Sequence, residues 1–153
     1  MILIGLLSRM PVDLKSYLII NIDGLPDGVP SSRISEFVGA LKAHCRHVTI
    51  SIDISAPTIG LTSGSGAFAV TVDANGPIRE RQAIRKINKL ANQSDKLGLK
   101  IGIRGIRSSS MLLNCIAAGC EWIEGPTIGA PVASPPPATR FSWQEWYKAK
   151  TET

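Results

Sequence analysis

The sequence predicts an α/β fold built from parallel βα units, with about five strands. Short apolar runs rich in β-branched residues alternate along the chain with longer stretches that carry an apolar residue every three or four positions. The first pattern is typical of strands and the second of amphipathic helices, and their alternation favours a parallel sheet. The chain has 153 residues, of which 44% are hydrophobic and 19% charged, and this composition indicates one globular domain, residues 1–153.

The predicted strands are short, and each ends near glycine, proline or a polar residue. The first of them is expected to be a buried strand, because five of its seven residues are tyrosine, leucine or isoleucine. Residues 56–66, which are rich in glycine, serine and threonine, are predicted to form a loop. The predicted strands are residues 17–23, 47–53, 68–73, 100–106 and 122–125.

Three helices are predicted between these strands. Ser31 or Ser32 is expected to cap the first helix, and Ser108 is expected to cap the last one, which Gly119 ends. The apolar positions of the first two helices fall on one face of each and are expected to point inward. They are Ile34, Phe37, Val38, Leu41 and Cys45 in the first helix and Ala83, Ile84, Ile87, Leu90 and Ala91 in the second.

The two ends of the chain are predicted to differ from the βα units. Residues 1–16 begin with an apolar run that is too short to cross a bilayer and has no basic leader, so we expect a cover segment on a cytoplasmic protein. Residues 132–153 are predicted to form a proline-rich linker and a final helix that carries Trp143, Trp146 and Tyr147.

Composition and motifs exclude several functions. The three cysteines have no metal or redox spacing, so we expect free thiols, and His44 and His47 are expected to be exposed or to cap a helix. A net charge of +5 is spread along the chain without interleaved exposed aromatic residues, which disfavours nucleic-acid binding. The sequence contains no catalytic triad pattern and no phosphate-binding loop.

Two motifs near the end of the chain carry a resemblance to a known family. Residues 98–107 read GLKIGIRGIR, a helix follows that ends at Gly119, and residues 121–131 read EWIEGPTIGAP. This text resembles the closing part of the EAL domain of cyclic di-GMP phosphodiesterases, where a strand of the type GLKVIAEGVE leads to a helix and to DYVQGYLFGKP. Residues 40–53 are similar to the helix and strand before the family's DDFG, and residues 71–73 to its KID. The resemblance implies an incomplete TIM-barrel-like fold, limited to the C-terminal part of the barrel.

The resemblance also implies that the catalytic chemistry of the family is lost. That chemistry needs carboxylates at the ends of strands, which hold two divalent cations. Arg104 and Arg107 stand where the family has the two glutamates of AEGVE, and a guanidinium cannot coordinate a metal. Asp53 and Asp73 remain as acidic residues, and Ile54 matches the second aspartate of DDFG. We therefore expect no catalytic residue, no metal, no cofactor and no enzymatic activity.

Each candidate site residue has two interpretations. Asp53 and Asp73 are expected to cap turns in preference to holding a metal ion. Arg104 and Arg107 could bind phosphate, but ion pairs with Asp53, Asp73 or Glu124 are favoured.

Asn21 could face a ligand at the end of the first strand, and a hydrogen bond within the following turn is favoured instead. Glu124 stands at the glutamine of the family's QGY, so the resemblance places it in the same region.

The sequence therefore predicts a catalytically inactive regulatory or protein-interaction domain of a bacterial signalling pathway. The alternative is a domain that binds cyclic di-GMP or another anionic nucleotide through its arginines without hydrolysing it. Five strands are fewer than the eight that close a parallel barrel. Either the two ends of the chain cover the open edges, or two copies associate as a homodimer.

Overall fold

The computed structural model describes residues 2–26, 28–55, 59–129, 133–134, 142 and 144–145. These residues form one parallel sheet with the strand order β1-β2-β3-β4-β5. The strands are β1 (Ile19–Ile22), β2 (His47–Asp53), β3 (Ala69–Asp73), β4 (Lys100–Arg104) and β5 (Trp122–Ile123). The helices are α1 (Ile2–Ser8), α2 (Val12–Lys15), α3 (Ser31–Lys42), α4 (Glu80–Lys96) and α5 (Ser109–Ala117).

The sheet is open, with β1 and β5 at its two edges. This arrangement confirms the α/β class, the parallel βα units and the count of about five strands. The loop predicted at residues 56–66 contains a short 3₁₀ helix, Ile59–Thr62, and residues 56–58 lie outside the described residues. Most of the predicted proline-rich linker and C-terminal helix also lies outside them. None of the described helices has the length and apolarity needed to cross a membrane.

The hydrophobic core lies on one face of the sheet, which we call the helix face. Alternate residues of each strand point to opposite faces. Ile50, Val72 and Ile103 point to the helix face and are completely buried against α3, α4 and α5. The inward positions predicted for α4 are confirmed, because Ala83, Ile87, Leu90 and Ala91 are buried and Ile84 is half-buried.

The opposite face of the sheet carries polar residues, and we call it the open face. It displays Asn21 of β1, Thr49 of β2, Thr71 of β3, and Gly102 and Arg104 of β4. The strands therefore alternate between apolar residues on the helix face and more polar residues on the open face. The centre of the open face is nevertheless buried, since Thr49 and Thr71 are only 3% and 7% exposed. The prediction of a buried first strand was wrong: Ile19 is 55% exposed because β1 is an edge strand and Ile19 belongs to the open face.

Two details of α3 differ from the prediction. The helix begins directly after Pro30, and neither Ser31 nor Ser32 caps it, because the fixed backbone of the proline already sets the turn into the helix. Phe37 is 50% exposed instead of buried, and the guanidinium of Arg33 lies 5.8 Å from its ring centroid. The cap of α5 is confirmed: the Ser108 hydroxyl accepts a hydrogen bond from the Met111 backbone N–H at 3.2 Å.

The predicted cover segment is helical but exposes most of its apolar side chains. Leu7 of α1 is buried, whereas Leu3, Leu6, Val12 and Leu14 are exposed. Among the described side chains of residues 2–16, Leu7 is the one that is buried.

Gly102 is a position of close approach on the open face. The indole of Trp122 on β5 lies across it, so that a Cβ atom at position 102 would overlap the indole ring. We expect Gly102→Ala to lower the free energy of unfolding by about 1–3 kcal/mol, because the indole must move. Gly39 of α3 has no neighbouring atom within 4 Å of its added Cβ position, and Gly39→Ala should raise stability by up to ~1 kcal/mol. Denaturant unfolding measures both effects, and equal changes in the two variants would contradict the close packing.

Candidate functional site at the carboxyl end of the sheet

The strand register brings three of the predicted site residues together. Asp53 is the partner of Asp73 in the β2–β3 pair, and Asp73 is the partner of Arg104 in the β3–β4 pair. All three lie on the open face at the carboxyl ends of their strands. Asp23, which follows β1, joins them through a side-chain contact with Arg104. The ends of four adjacent strands therefore supply three carboxylates and one guanidinium.

Arg104 bridges two of these carboxylates. Its Nη2 donates a hydrogen bond to Asp23 Oδ2 at 2.9 Å, and its Nε donates to Asp73 Oδ2 at 3.2 Å. The ion pair predicted between Arg104 and Asp73 is confirmed. The side chain of Arg104 is 27% exposed, so the guanidinium is held partly away from water. One arginine thus occupies the space between acidic residues that come from the first and third strands.

The contact between Arg104 and Asp23 also indicates that the sheet is curved. β1 and β4 are separated by two strands, which in a flat sheet would place them roughly 14 Å apart. Side chains stand roughly perpendicular to a sheet, so two side chains at this separation meet only if the sheet curves toward them. The open face is therefore concave, like the inner wall of a barrel segment.

The ion pair changes the titration of both partners. The hydrogen bond from Arg104 lowers the pKa of the Asp23 carboxyl, and the Gly24 backbone N–H contributes in the same direction. The hydrogen bond to Asp23 raises the pKa of Arg104. Asp23 therefore stays ionised to a lower pH in the folded chain than in the unfolded chain. This pair favours the folded state only while Asp23 is ionised.

A pH dependence of stability follows from the lowered pKa of Asp23. Its contribution is complete above the unfolded pKa, near 3.9, and is lost as the pH falls through the lower folded value. We expect the Asp23→Asn variant to lose less stability on acidification than the unaltered protein. The difference in the free energy of unfolding should be less than ~1 kcal/mol, because the side chain of Asp23 is 58% exposed. Unfolding measured between neutral and acidic pH tests this. The exposed Asp13, which makes no ion pair with a described residue, supplies Asp13→Asn as the control.

Asp53 and Asp73 also hold the turns that follow their strands. Asp53 Oδ1 accepts a hydrogen bond from the Ser55 backbone N–H at 2.5 Å. Asp73 Oδ1 accepts one from the Asn75 backbone N–H at 2.8 Å. The turn-capping interpretation is confirmed for both residues. Within the described ranges, no three histidine, cysteine or acidic side chains are grouped so that they could hold a metal ion.

Arg107 lies outside the cluster, and the ion pair predicted for it was wrong. Its Nη2 donates hydrogen bonds to the backbone carbonyls of Ala74 at 3.0 Å and Gly76 at 3.1 Å. The chain turns after β4, where Gly105 has a φ of +84°, and this turn directs Arg107 to the loop between β3 and α4. Arg107 therefore holds the loop between β3 and α4 and does not pair with a carboxylate.

Asn21 lies on the open face, and the turn-side hydrogen bond predicted for it was wrong. Its Nδ2 donates to the Ser51 hydroxyl at 2.8 Å, and its Oδ1 accepts from the Thr49 hydroxyl at 2.8 Å. The side chain therefore ties β1 to β2. Glu124 follows β5 with an exposed side chain, and its backbone N–H donates to the Ile103 carbonyl oxygen at 2.9 Å. Glu124 and Arg104 line the same cavity.

Two residues of the open face were missed by the sequence analysis. Asp23 follows β1 in the same way that Asp53 and Asp73 end their strands, and this repeated position was a usable signal. His47 was expected to be exposed or to cap a helix, but it is half-buried and stacks on Phe68 with ring centroids 3.9 Å apart. No local sequence pattern indicates that stacking, since the two residues meet only when β2 and β3 pair.

The three cysteines are free, as predicted. Cys115 is buried, and Cys45 and Cys120 are half-buried. The neighbouring Cys120 and burial both raise the pKa of the Cys115 thiol. The Cys115 thiol is therefore held in its protonated form.

Comparison with known proteins identifies the fold. The sequence matches no protein-family model and no curated protein. The structure is similar to the Bacillus subtilis YkuI protein, which has an EAL domain and was solved in complex with its substrate c-di-GMP and calcium (TM-score 0.56, 11% sequence identity, covering 88% of this chain and 32% of that one). It is also similar to the PaMucR phosphodiesterase in a c-di-GMP complex (TM-score 0.57, 19% identity, covering 77% of this chain and 54% of that one).

These similarities confirm the resemblance to EAL domains at the level of the fold. This chain spans 32% of the YkuI chain and 54% of the PaMucR chain. The five parallel strands therefore represent part of an EAL-like barrel.

Proposed function

We propose that this chain is a catalytically inactive, EAL-like regulatory domain of cyclic di-GMP signalling, which acts in the cytoplasm through contacts with other proteins or with a second copy of itself. The observation that carries the proposal is the position of Arg104. Its guanidinium contacts Asp23 and Asp73 at the carboxyl end of the sheet, where a two-metal phosphodiesterase needs anionic oxygen ligands. A fixed positive charge between these carboxylates neutralises them and repels a divalent cation.

The remaining acidic residue adds little to metal binding. Asp53 already accepts a hydrogen bond from the turn that follows it. Magnesium keeps its waters unless a well-shaped octahedral site replaces them, and one engaged carboxylate beside an arginine is not such a site. This geometry supports an inactive domain.

The experiment is a phosphodiesterase assay with cyclic di-GMP in the presence of magnesium or manganese. We expect no hydrolysis above the rate in buffer, with the PaMucR phosphodiesterase assayed in parallel as the active control. Hydrolysis that requires this chain and disappears in the Asp53→Asn and Asp73→Asn variants would contradict the proposal.

Self-association is proposed on the basis of the open sheet. β1 and β5 are edge strands, and an exposed strand edge offers unpaired backbone groups to another chain. Light scattering at micromolar concentrations is expected to show a dimer. A strict monomer over this range would leave contacts with another protein as the mode of action.

The alternative function, binding of cyclic di-GMP through Arg104 and Arg107, has less support. Arg104 is paired with two carboxylates, and Arg107 is bonded to two backbone carbonyls. Binding a phosphate would require either arginine to give up these partners. A calorimetric titration with cyclic di-GMP tests this alternative directly.

A further inference from the structure

The open face carries a groove that begins on its amino-terminal side and extends as far as Arg104. Two carboxylates also line it: Glu121, which is paired with Lys100 at 3.3 Å, and Glu124. The groove has a volume of about 550 Å³, which is within the range of small-molecule sites. It extends from the start of β1 across β2 and β3 to β5. Its floor is polar, with Asn21, Thr49 and Thr71, and its walls are largely aromatic, with Tyr17, His47, Phe68 and Trp122.

The aromatic walls present flat surfaces to the groove. His47 and Phe68 stack with ring centroids 3.9 Å apart and an angle of 21° between the rings. Trp122 lies across Gly102 from the β5 side, which leaves its indole half-buried at the groove wall. Flat aromatic side chains of this kind bind planar ligands by stacking.

The amino end of the groove is basic. Arg46, which is exposed, lines this groove and also a second cavity of about 400 Å³ that contains Lys15. Within the described part of the chain, Arg46 makes no ion pair, and Lys15 makes only one long hydrogen bond, to the Ser8 carbonyl at 3.5 Å. Both cations therefore remain available to an anionic group. Tyr17 lines both cavities and joins the basic end to the aromatic walls.

The polar floor retains hydrogen-bonding capacity. Asn21 donates one hydrogen bond to Ser51 and accepts one from Thr49. An amide side chain has two N–H donors and two acceptor lone pairs, so one donor and one lone pair remain for a ligand. The edge of a heteroaromatic ring offers matching groups.

We propose that this groove binds a mononucleotide-like ligand, with its base stacked beside Trp122 and its phosphate between Arg46 and Lys15. Aromatic walls, a polar floor and a basic end favour a planar heteroaromatic ring that carries an anion. Asp23, Asp53 and Asp73 do not line the groove, whereas Arg104 does. The test of this proposal measures AMP binding and the test of the proposed function measures hydrolysis of cyclic di-GMP, so the failure of one is distinguishable from the failure of the other.

The test is quenching of Trp122 fluorescence by AMP, adenosine or inorganic phosphate. The parent protein for this test carries Trp143→Phe and Trp146→Phe, so that Trp122 is the one remaining tryptophan. We expect saturable quenching by AMP, binding of adenosine that is about tenfold weaker, and no quenching by phosphate, because the ring supplies the stacking and the phosphate supplies the ion pairs.

Two variants locate the binding in the groove. Arg46→Gln should weaken AMP binding about tenfold, whereas Arg81→Gln, at an exposed position of α4 on the other side of the sheet, should leave it unchanged. Trp122→Leu should abolish the heat of AMP binding in calorimetry. The proposal is overturned by equal AMP affinity in the Arg46→Gln variant and its parent, by no saturable quenching up to about 10 mM AMP, or by a dimer in solution that buries Trp122 and excludes AMP.

Discussion

Replacing Arg104 with glutamate is expected to lower the free energy of unfolding by about 2–4 kcal/mol and to make the stability of the domain depend on divalent cations. Arg104 is the cation that Asp23 and Asp73 share at 2.9 and 3.2 Å. In the variant, the glutamate at position 104 adds a fourth carboxylate to Asp23, Asp53 and Asp73, and no cation balances them. Their mutual repulsion opposes folding until another cation enters.

Manganese or magnesium is expected to restore part of the lost stability of Arg104→Glu, because the variant gathers hard oxygen ligands where the parent has a guanidinium. A ligand that binds only the folded state at a hundred times its dissociation constant adds about 2.7 kcal/mol. Denaturant unfolding with and without the cation measures the effect. The unaltered protein should gain no stability from the cation.

Arg104→Gln is the matched control for this experiment. It removes the same positive charge and leaves an amide in place of a carboxylate, so it should be destabilised but should respond less to manganese. The proposal that Arg104 neutralises these carboxylates and excludes a divalent cation fails if the unaltered protein and Arg104→Glu gain equal stability from the cation.

The second large effect is expected from a pair of isoleucine truncations on the two faces of the sheet. Ile50→Ala should lower the free energy of unfolding by about 2–5 kcal/mol, because Ile50 is completely buried on the helix face and its loss leaves a cavity. Ile19→Ala should change it by less than ~0.5 kcal/mol, because Ile19 is 55% exposed on the open face.

The comparison of Ile50→Ala with Ile19→Ala also tests self-association. If a second copy covers the open face in solution, Ile19 becomes buried there and its truncation becomes costly. A large loss of stability for Ile19→Ala that grows with protein concentration would indicate such a dimer.

The parts of the fold that depend on local sequence could be predicted. The bounds of β2 are the predicted ones, and the inward positions of α4 follow its helical period. The cap of α5 by Ser108 depends on four consecutive residues, 108–111, and was also predictable. Such features need no knowledge of how the strands are arranged.

The environment of the site residues depended on contacts between distant parts of the chain. Asn21 bonds to residues about thirty positions away, and Asp23 meets Arg104 at a separation of 81 residues. Arg107 was expected to pair with a carboxylate because both are charged, but the turn at Gly105 directs it to backbone carbonyls. Sequence patterns identified the residues at the ends of the strands without showing which of them would meet.

The strictly sequential strand order has a consequence for how the chain acquires its structure. Each strand pairs only with the strands immediately before and after it, and the paired residues lie 20 positions apart between Thr49 and Ala69 and 31 apart between Ala69 and Lys100. A closed barrel must also join its first strand to its last, which is its most distant contact. The described sheet has no such seam, so each βα unit can be added to the one before it, while the parallel pairing of its strands places the expected folding rate in the range of mixed α/β domains.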